Sequence, residues 1–142
     1  MTDVAGRAGR KLNRDFRDIE HLQVSRKGPA DFVSAADRKA EEIIYDRLSE
    51  ARPGYSFLME ERGEVVGTDK SHRWIVDPLD GTTNFLHGMP HFAVSIALER
   101  EGEIVAGVVY NPATDEMFQA EKGRGAWLAD RRLRVAERKH MD

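Results

Sequence analysis

The sequence predicts an α+β domain, two helices followed by a run of strands that form an antiparallel sheet. Three observations predict it. Apolar residues recur every three or four positions as far as Leu48, and from Tyr55 onward the pattern changes to short strand-like runs. Turn pairs such as Glu101-Gly102 and Asn111-Pro112 separate the later runs. The chain has 142 residues, the size of one ordinary domain, and no repeat or Ser/Gly linker marks a boundary within it. With 40% hydrophobic and 33% charged residues it is globular in character, not disordered.

Taken in order, Val4, Ala8, Leu12, Phe16 and Ile19 define an amphipathic helix over residues 3–19. Gly28-Pro29 breaks the chain. Ser34 precedes a second helical stripe, Ala36, Ala40, Ile43, Ile44 and Leu48, which Pro53-Gly54 ends. Asp37, three residues after Ser34, reads as part of a helix-start capping signal. Strands are expected at Tyr55–Met59, Trp74–Val76, His91–Leu98, Ile104–Tyr110 and Met117–Ala120, the last three as an antiparallel meander. Within residues 92–98, bulky Phe92, Val94, Ile96 and Leu98 alternate with small Ala93, Ser95 and Ala97, so one face of that strand suits close packing.

Composition excludes several chemistries. With no cysteine, disulfides, thiolate nucleophiles and cysteine-held metal centres are ruled out. No apolar run approaches the length needed to span a bilayer, and no basic-then-apolar leader opens the sequence, so a cytoplasmic protein is expected. The net charge of −3 is unevenly spread: residues 28–120 hold 17 acidic against 8 basic side chains, while both ends are basic. That excess acid is either solvated surface or a gathering of hard oxygen ligands for a divalent cation.

The densest chemistry lies in Arg73–Phe85, RWIVDPLDGTTNF. An apolar strand ends at Val76, and Asp77 and Asp80 follow across a turn stiffened by Pro78 and freed by Gly81. Two carboxylates three residues apart, with the Leu79 carbonyl between them, suit Mg²⁺ or Ca²⁺. Gly81, Thr82 and Thr83 offer N–H groups and hydroxyls to a phosphate. A plain polar turn has the same composition, and the motif alone does not separate the two. Glu60-Glu61 close another apolar strand, and Asp31–Asp37 place an acid at the second helix. His87 and His91, with Gly88 and Pro90 between them, read as loop histidines, not a metal pair. Lys122-Gly-Arg-Gly125 reads as a turn beside Trp127, and the tail RRLRVAERK as a solvated end.

Together the segments DFVSAAD, Met59-Glu60-Glu61 and WIVDPLDGTTNFLHGMPHFAVSIAL resemble the inositol monophosphatase family of metal-dependent, lithium-sensitive phosphatases. The likeness continues more weakly through GVVYNPATDEMFQAEKGRGAWL. It implies a layered αβαβα sandwich of which residues 1–142 form the amino-terminal part, because the family's later Trp-Asp-x-Ala-Ala-Gly motif has no counterpart here. It implies Mg²⁺ as cofactor, held by Glu60, Asp77, the Leu79 carbonyl and Asp80. Asp37, Glu60 and Thr82 would be catalytic, with Thr82 and Asp37 paired to orient the attacking water. Substrate would be held by Glu60, Leu79, Asp80, Gly81 and Thr82. The implied reaction is hydrolysis of inositol monophosphate or a similar small phosphate ester. The alternatives are an inactive fragment, or a non-catalytic relative that binds protein or RNA machinery. Among partners a homodimer is the family's common form, no membrane is implied, and nucleic acid is disfavoured. The sequence departs from the pattern at Met59, where the family has glycine, and at Arg62, where it has a small residue; a bulky Met59 is expected to shift the strand end and misaim Glu60.

Overall fold

The computed structural model of the chain describes residues 1–22 and 28–139. Two long helices come first, α1 (Thr2–Leu22) and α2 (Pro29–Ala51). A hairpin follows, β1 (Ser56–Met59) and β2 (Gly63–Val65), and then β3 (His72–Asp80) and a five-residue helix, α3 (Thr82–Leu86). The rest is a meander: β4 (Ala93–Arg100), β5 (Glu103–Asn111), β6 (Glu116–Glu121), β7 (Gly125–Leu128) and β8 (Arg131–Leu133).

All eight strands join one sheet in the order β2-β1-β3-β4-β5-β6-β7-β8. Every neighbouring pair is antiparallel except β1 and β3, which run parallel. The helices lie on one face of this sheet: α1 packs on β4 and β5, α2 on β3, and the two helices on each other. The core fills that interface, with Ala8, Leu12 and Ile19 from α1 and Ala40, Ile44 and Leu48 from α2. Trp74, Val76, Val94, Ile96 and Val108 meet them from the sheet. The alternation in β4 is realised: Val94 and Ile96 are buried, while Ser95 and Ala97 on the opposite face are only partly so. On that opposite face Leu58 and Val109 stay exposed, at 38% and 44%.

Two helices precede the strands, as the periodicity predicts, but their limits differ. The second helix starts at Pro29, with Gly28 as its cap residue and no side-chain cap bond, not at Ser34. Proline at the first helical position costs nothing because its missing N–H is one the helix leaves unpaired there. Asp37 is therefore two turns inside the helix and does not cap it. Three short strands, β2, β7 and β8, were not visible in the periodicity, being only three or four residues long.

Candidate functional site

The four acids singled out from the sequence arrive from three elements. Asp37 projects from α2 and is 5% exposed. Glu60 opens the three-residue loop between β1 and β2, and Asp77 and Asp80 lie on the last four residues of β3. Residues three apart on a regular strand point to opposite faces. Here a bulge intervenes: Asp77 pairs with Ser95 and Asp80 with Ala93, two positions that share a face of β4. The extra residue turns both carboxylates to one side, which is what a bulge in a strand end does. Pro78 and Leu79 between them are buried, so the turn is fixed in the core.

The electrostatics show that the acids have been brought together. Burial, followed by the charges of Glu60, Glu61, Asp77 and Glu41, pushes the Asp37 carboxyl from 3.8 up to about 7. Burial and the Asp77 carboxyl that it contacts raise Glu60 above the usual range. Burial and the charge of Asp80 raise Asp77, partly offset by an N–H donated from Leu79. Like charges gathered out of water disfavour ionisation, and a cation among them would restore it.

Asp37 Oδ1 and Asp77 Oδ1 are buried with no hydrogen-bond partner. A buried carboxylate oxygen left bare is costly, and the pair fits a hard divalent ion, which takes oxygen ligands. The cage is not closed, however: among the described residues no three Asp, Glu or His groups stand at metal-holding distances from one point. Among the described residues no hydrogen bond joins Thr82 to the Asp37 Oδ1 atom.

Gly81 explains why the turn after Asp80 takes glycine. It sits at φ +89°, and a Cβ there would meet the His91 carbonyl oxygen at 3.0 Å. The chain then enters α3, with Thr82 at its first position and Phe85 fully buried below. Met59, expected to disturb the strand end, instead buries its side chain in the helix-facing core at 5% exposure and has no positive φ. The residue that needs left-handed backbone is Gly63, at φ +67°, which closes the same loop. Arg62 lies with its guanidinium over the Tyr45 ring, 4.2 Å from the centroid. His87 caps α3 and His91 is exposed, as loop histidines should be. Trp127 Nε1 donates to the Arg124 carbonyl across the turn read from Lys122–Gly125.

One residue of the region was not singled out from the sequence. Glu41 is 2% exposed and accepts N–H bonds from Glu61 and Arg62. Its signal was available: it stands beside Ala40 and one turn before Tyr45, an acid inside an apolar helical stripe.

A pH dependence follows. A carboxyl whose folded pKa is raised contributes stability that is full below its ordinary value and is lost as pH rises through the raised one. In EDTA, the chain is expected to be most stable near pH 4–5 and to weaken toward pH 8, across the window from 3.8 to about 7 set by Asp37. Asp69, held down to about 2 by hydrogen bonds from Ser71, loses its own contribution only below 3.8, outside this window. Asp37→Asn should flatten the slope, read as urea midpoints at three pH values; an unchanged slope would place its origin elsewhere.

A helix layer thus packs on a largely antiparallel sheet, with acids gathered where β1 and β3 end. The whole chain, residues 1–142, matches the Inositol monophosphatase family. This chain belongs to that family. It is 69% identical over 138 residues to a Mesorhizobium japonicum protein named inositol-1-monophosphatase, covering 97% of this chain and 52% of the relative. It is 40% identical over 146 residues to the Escherichia coli K12 protein named Nus factor SuhB, covering 100% and 55%. Among solved structures, the extragenic suppressor protein suhB from Bartonella henselae superposes with a TM-score of 0.87 at 64% identity, covering 97% of this chain and 54% of that one. The chain thus spans about half the length of the relatives it matches. Among the described residues no helix is long and apolar enough to cross a membrane.

Proposed function

We propose that this chain carries the acidic, water-activating part of a Mg²⁺-dependent phosphomonoesterase that acts on inositol monophosphate or a similar small phosphate ester. The observation that carries the reading is the convergence of Asp37, Glu60, Asp77 and Asp80 with two buried carboxylate oxygens left bare. Glu60, Asp77, the Leu79 carbonyl and Asp80 would hold Mg²⁺, which supplies a nucleophilic water near neutral pH and offsets charge on the phosphoryl group. Asp37, buried beside these acids, would take a proton from that water. Glu60 faces the same space and orients the water. The N–H groups of Gly81 and Thr82, at the turn after Asp80, are the donors for phosphate oxygens. No covalent nucleophile is required, in keeping with a chain without cysteine.

The reading takes residues 1–142 as the amino-terminal part of a longer fold, supported by the 52% of the Mesorhizobium relative that they match. The remaining metal and substrate groups would then come from the other part, which accounts for a cage left open here. The test is phosphate release from inositol 1-phosphate, with and without Mg²⁺, by this chain and by a protein extended to the relatives' length. Release that requires Mg²⁺ in the extended protein is expected. No release from either, or release indifferent to Mg²⁺, would refute the reading.

A second reading has one observation behind it, the 40% identity over the whole chain to the relative named Nus factor SuhB. On that reading the protein shares a role in transcription, with or without catalysis. It predicts recovery of transcription-complex proteins with the tagged chain at moderate salt, and their absence counts against it.

A further inference from the structure

Glu41 occupies an expensive position. At 2% exposure its carboxyl is as buried as Leu48, one face along the same helix. A carboxylate so placed is tolerated only when its oxygens are hydrogen-bonded. Both are: Oε1 accepts the N–H of Glu61 at 2.9 Å, and Oε2 the N–H of Arg62 at 3.2 Å. Those N–H groups belong to the loop that begins with Glu60. Four residues further along α2, Tyr45 lies under the Arg62 guanidinium at 4.2 Å. Four residues earlier stands Asp37. Positions 37, 41 and 45 recur at four-residue spacing and so share one side of the helix. One contributes a carboxyl to the acidic cluster, and the next two grip the loop that brings in Glu60.

We propose that Glu41 is a positioning residue, which fixes the β1–β2 loop through both carboxyl oxygens and so sets the direction in which Glu60 faces the acidic cluster. Asp37 and Glu60 are thereby referenced to one rigid element, and their separation does not depend on a free hairpin tip. The inference rests on the cation-dependent reading of the cluster. It also gives Arg62 a purpose: where a small residue would leave the loop tip bare, the guanidinium supplies a second anchor on Tyr45.

The rival explanations are that Glu41 acts only through its charge or only through global stability. Glu61→Gln separates the first, because the charge of Glu61 acts on both Asp37 and Glu60 more strongly than that of Glu41 does. Glu41→Gln keeps the size but leaves one acceptor and sets an amide NH₂ against the second N–H. The experiment uses the ¹⁵N-labelled chain and reads two quantities: amide exchange at Glu61 and Arg62 without metal, and Mg²⁺ affinity by calorimetry.

Glu41→Gln is expected to speed exchange at both amides by about tenfold or more, with helix content unchanged. It should also weaken Mg²⁺ by about tenfold or more, as loss of a supporting hydrogen bond does at metal sites. Glu61→Gln should leave exchange at Arg62 as in the wild type and weaken Mg²⁺ less. Unchanged exchange in Glu41→Gln overturns the proposal, and so does a Glu61→Gln variant that weakens Mg²⁺ as much. If the wild type takes up no Mg²⁺, the cation reading falls, and exchange still decides whether Glu41 holds the loop. Should Glu41→Gln fail to fold, Glu41→Asp keeps the charge and shortens the reach to the two loop N–H groups. Faster exchange at Arg62 then supports the proposal and unchanged exchange overturns it.

Discussion

Asp77→Asn is expected to make the metal-free chain more stable at pH 8 while cutting its affinity for Mg²⁺ by about tenfold or more. The two effects have one cause. Asp77 is pushed toward its protonated form by burial and by Asp80, and its Oδ1 has no hydrogen-bond partner. An amide of the same shape removes the repulsion and can donate to Glu60, so the empty site relaxes. The same change leaves one neutral oxygen where an anionic ligand stood. Sites built for function commonly carry such local cost, and neutralising them raises stability at the expense of activity. Phosphate release by the extended protein should fall with the affinity. Urea unfolding in EDTA and calorimetry with Mg²⁺ read the two halves separately. A variant that is both less stable and equally able to bind Mg²⁺ would show that Asp77 is only a structural turn residue.

Phe85→Ala is expected to cost about 3–5 kcal/mol, the range for removing a buried aromatic ring. The ring is fully buried, and it meets Phe16 of α1 at 5.6 Å and Phe92 at 4.9 Å between centroids. Phe16 and Phe92 are themselves 4.9 Å apart, so three rings from three segments close on one point. A five-residue helix has no stability of its own, and α3 persists because Phe85 ties it into this cluster. Its first residue is Thr82, directly after the Asp80-Gly81 turn. Loss of the ring should therefore lower the melting midpoint by an amount on the order of 10 °C and disorder the turn as well. Thermal melts by circular dichroism measure the first effect, with Phe85→Leu as a milder comparison. A loss below about 1 kcal/mol would mean the three-ring cluster does not hold α3.

Much of this was legible in the residues, and the parts that were not have identifiable reasons. The helical stripes and the large-small alternation of β4 report burial on one face, and one face is what the structure buries. Asp77, Asp80 and Gly81 could be read because a strand, a proline and a glycine leave little choice of turn. The helix start at Pro29 was missed because Ser34 imitates a cap, and only the packing of Val33 and Ala36 shows that the helix is already under way. The bulge that turns Asp77 and Asp80 to one side depends on register with β4, which is not encoded locally. Met59, expected from its bulk to shift the strand end, is buried at 5% exposure. It points into the core, and the left-handed backbone of that loop falls on Gly63, where glycine adopts it freely.

The acids at the ends of β1 and β3, with Asp37, are proposed to form a cation-binding cluster. Calorimetric titration of Mg²⁺ into the chain at about pH 6.5, in two buffers of different protonation enthalpy, tests it most directly. With Asp37 raised to about 7, part of the cluster carries protons at that pH and must give them up when the ion binds. Uptake with net proton release is expected, seen as heats that differ between the buffers. No uptake, or equal heats in both, would contradict it.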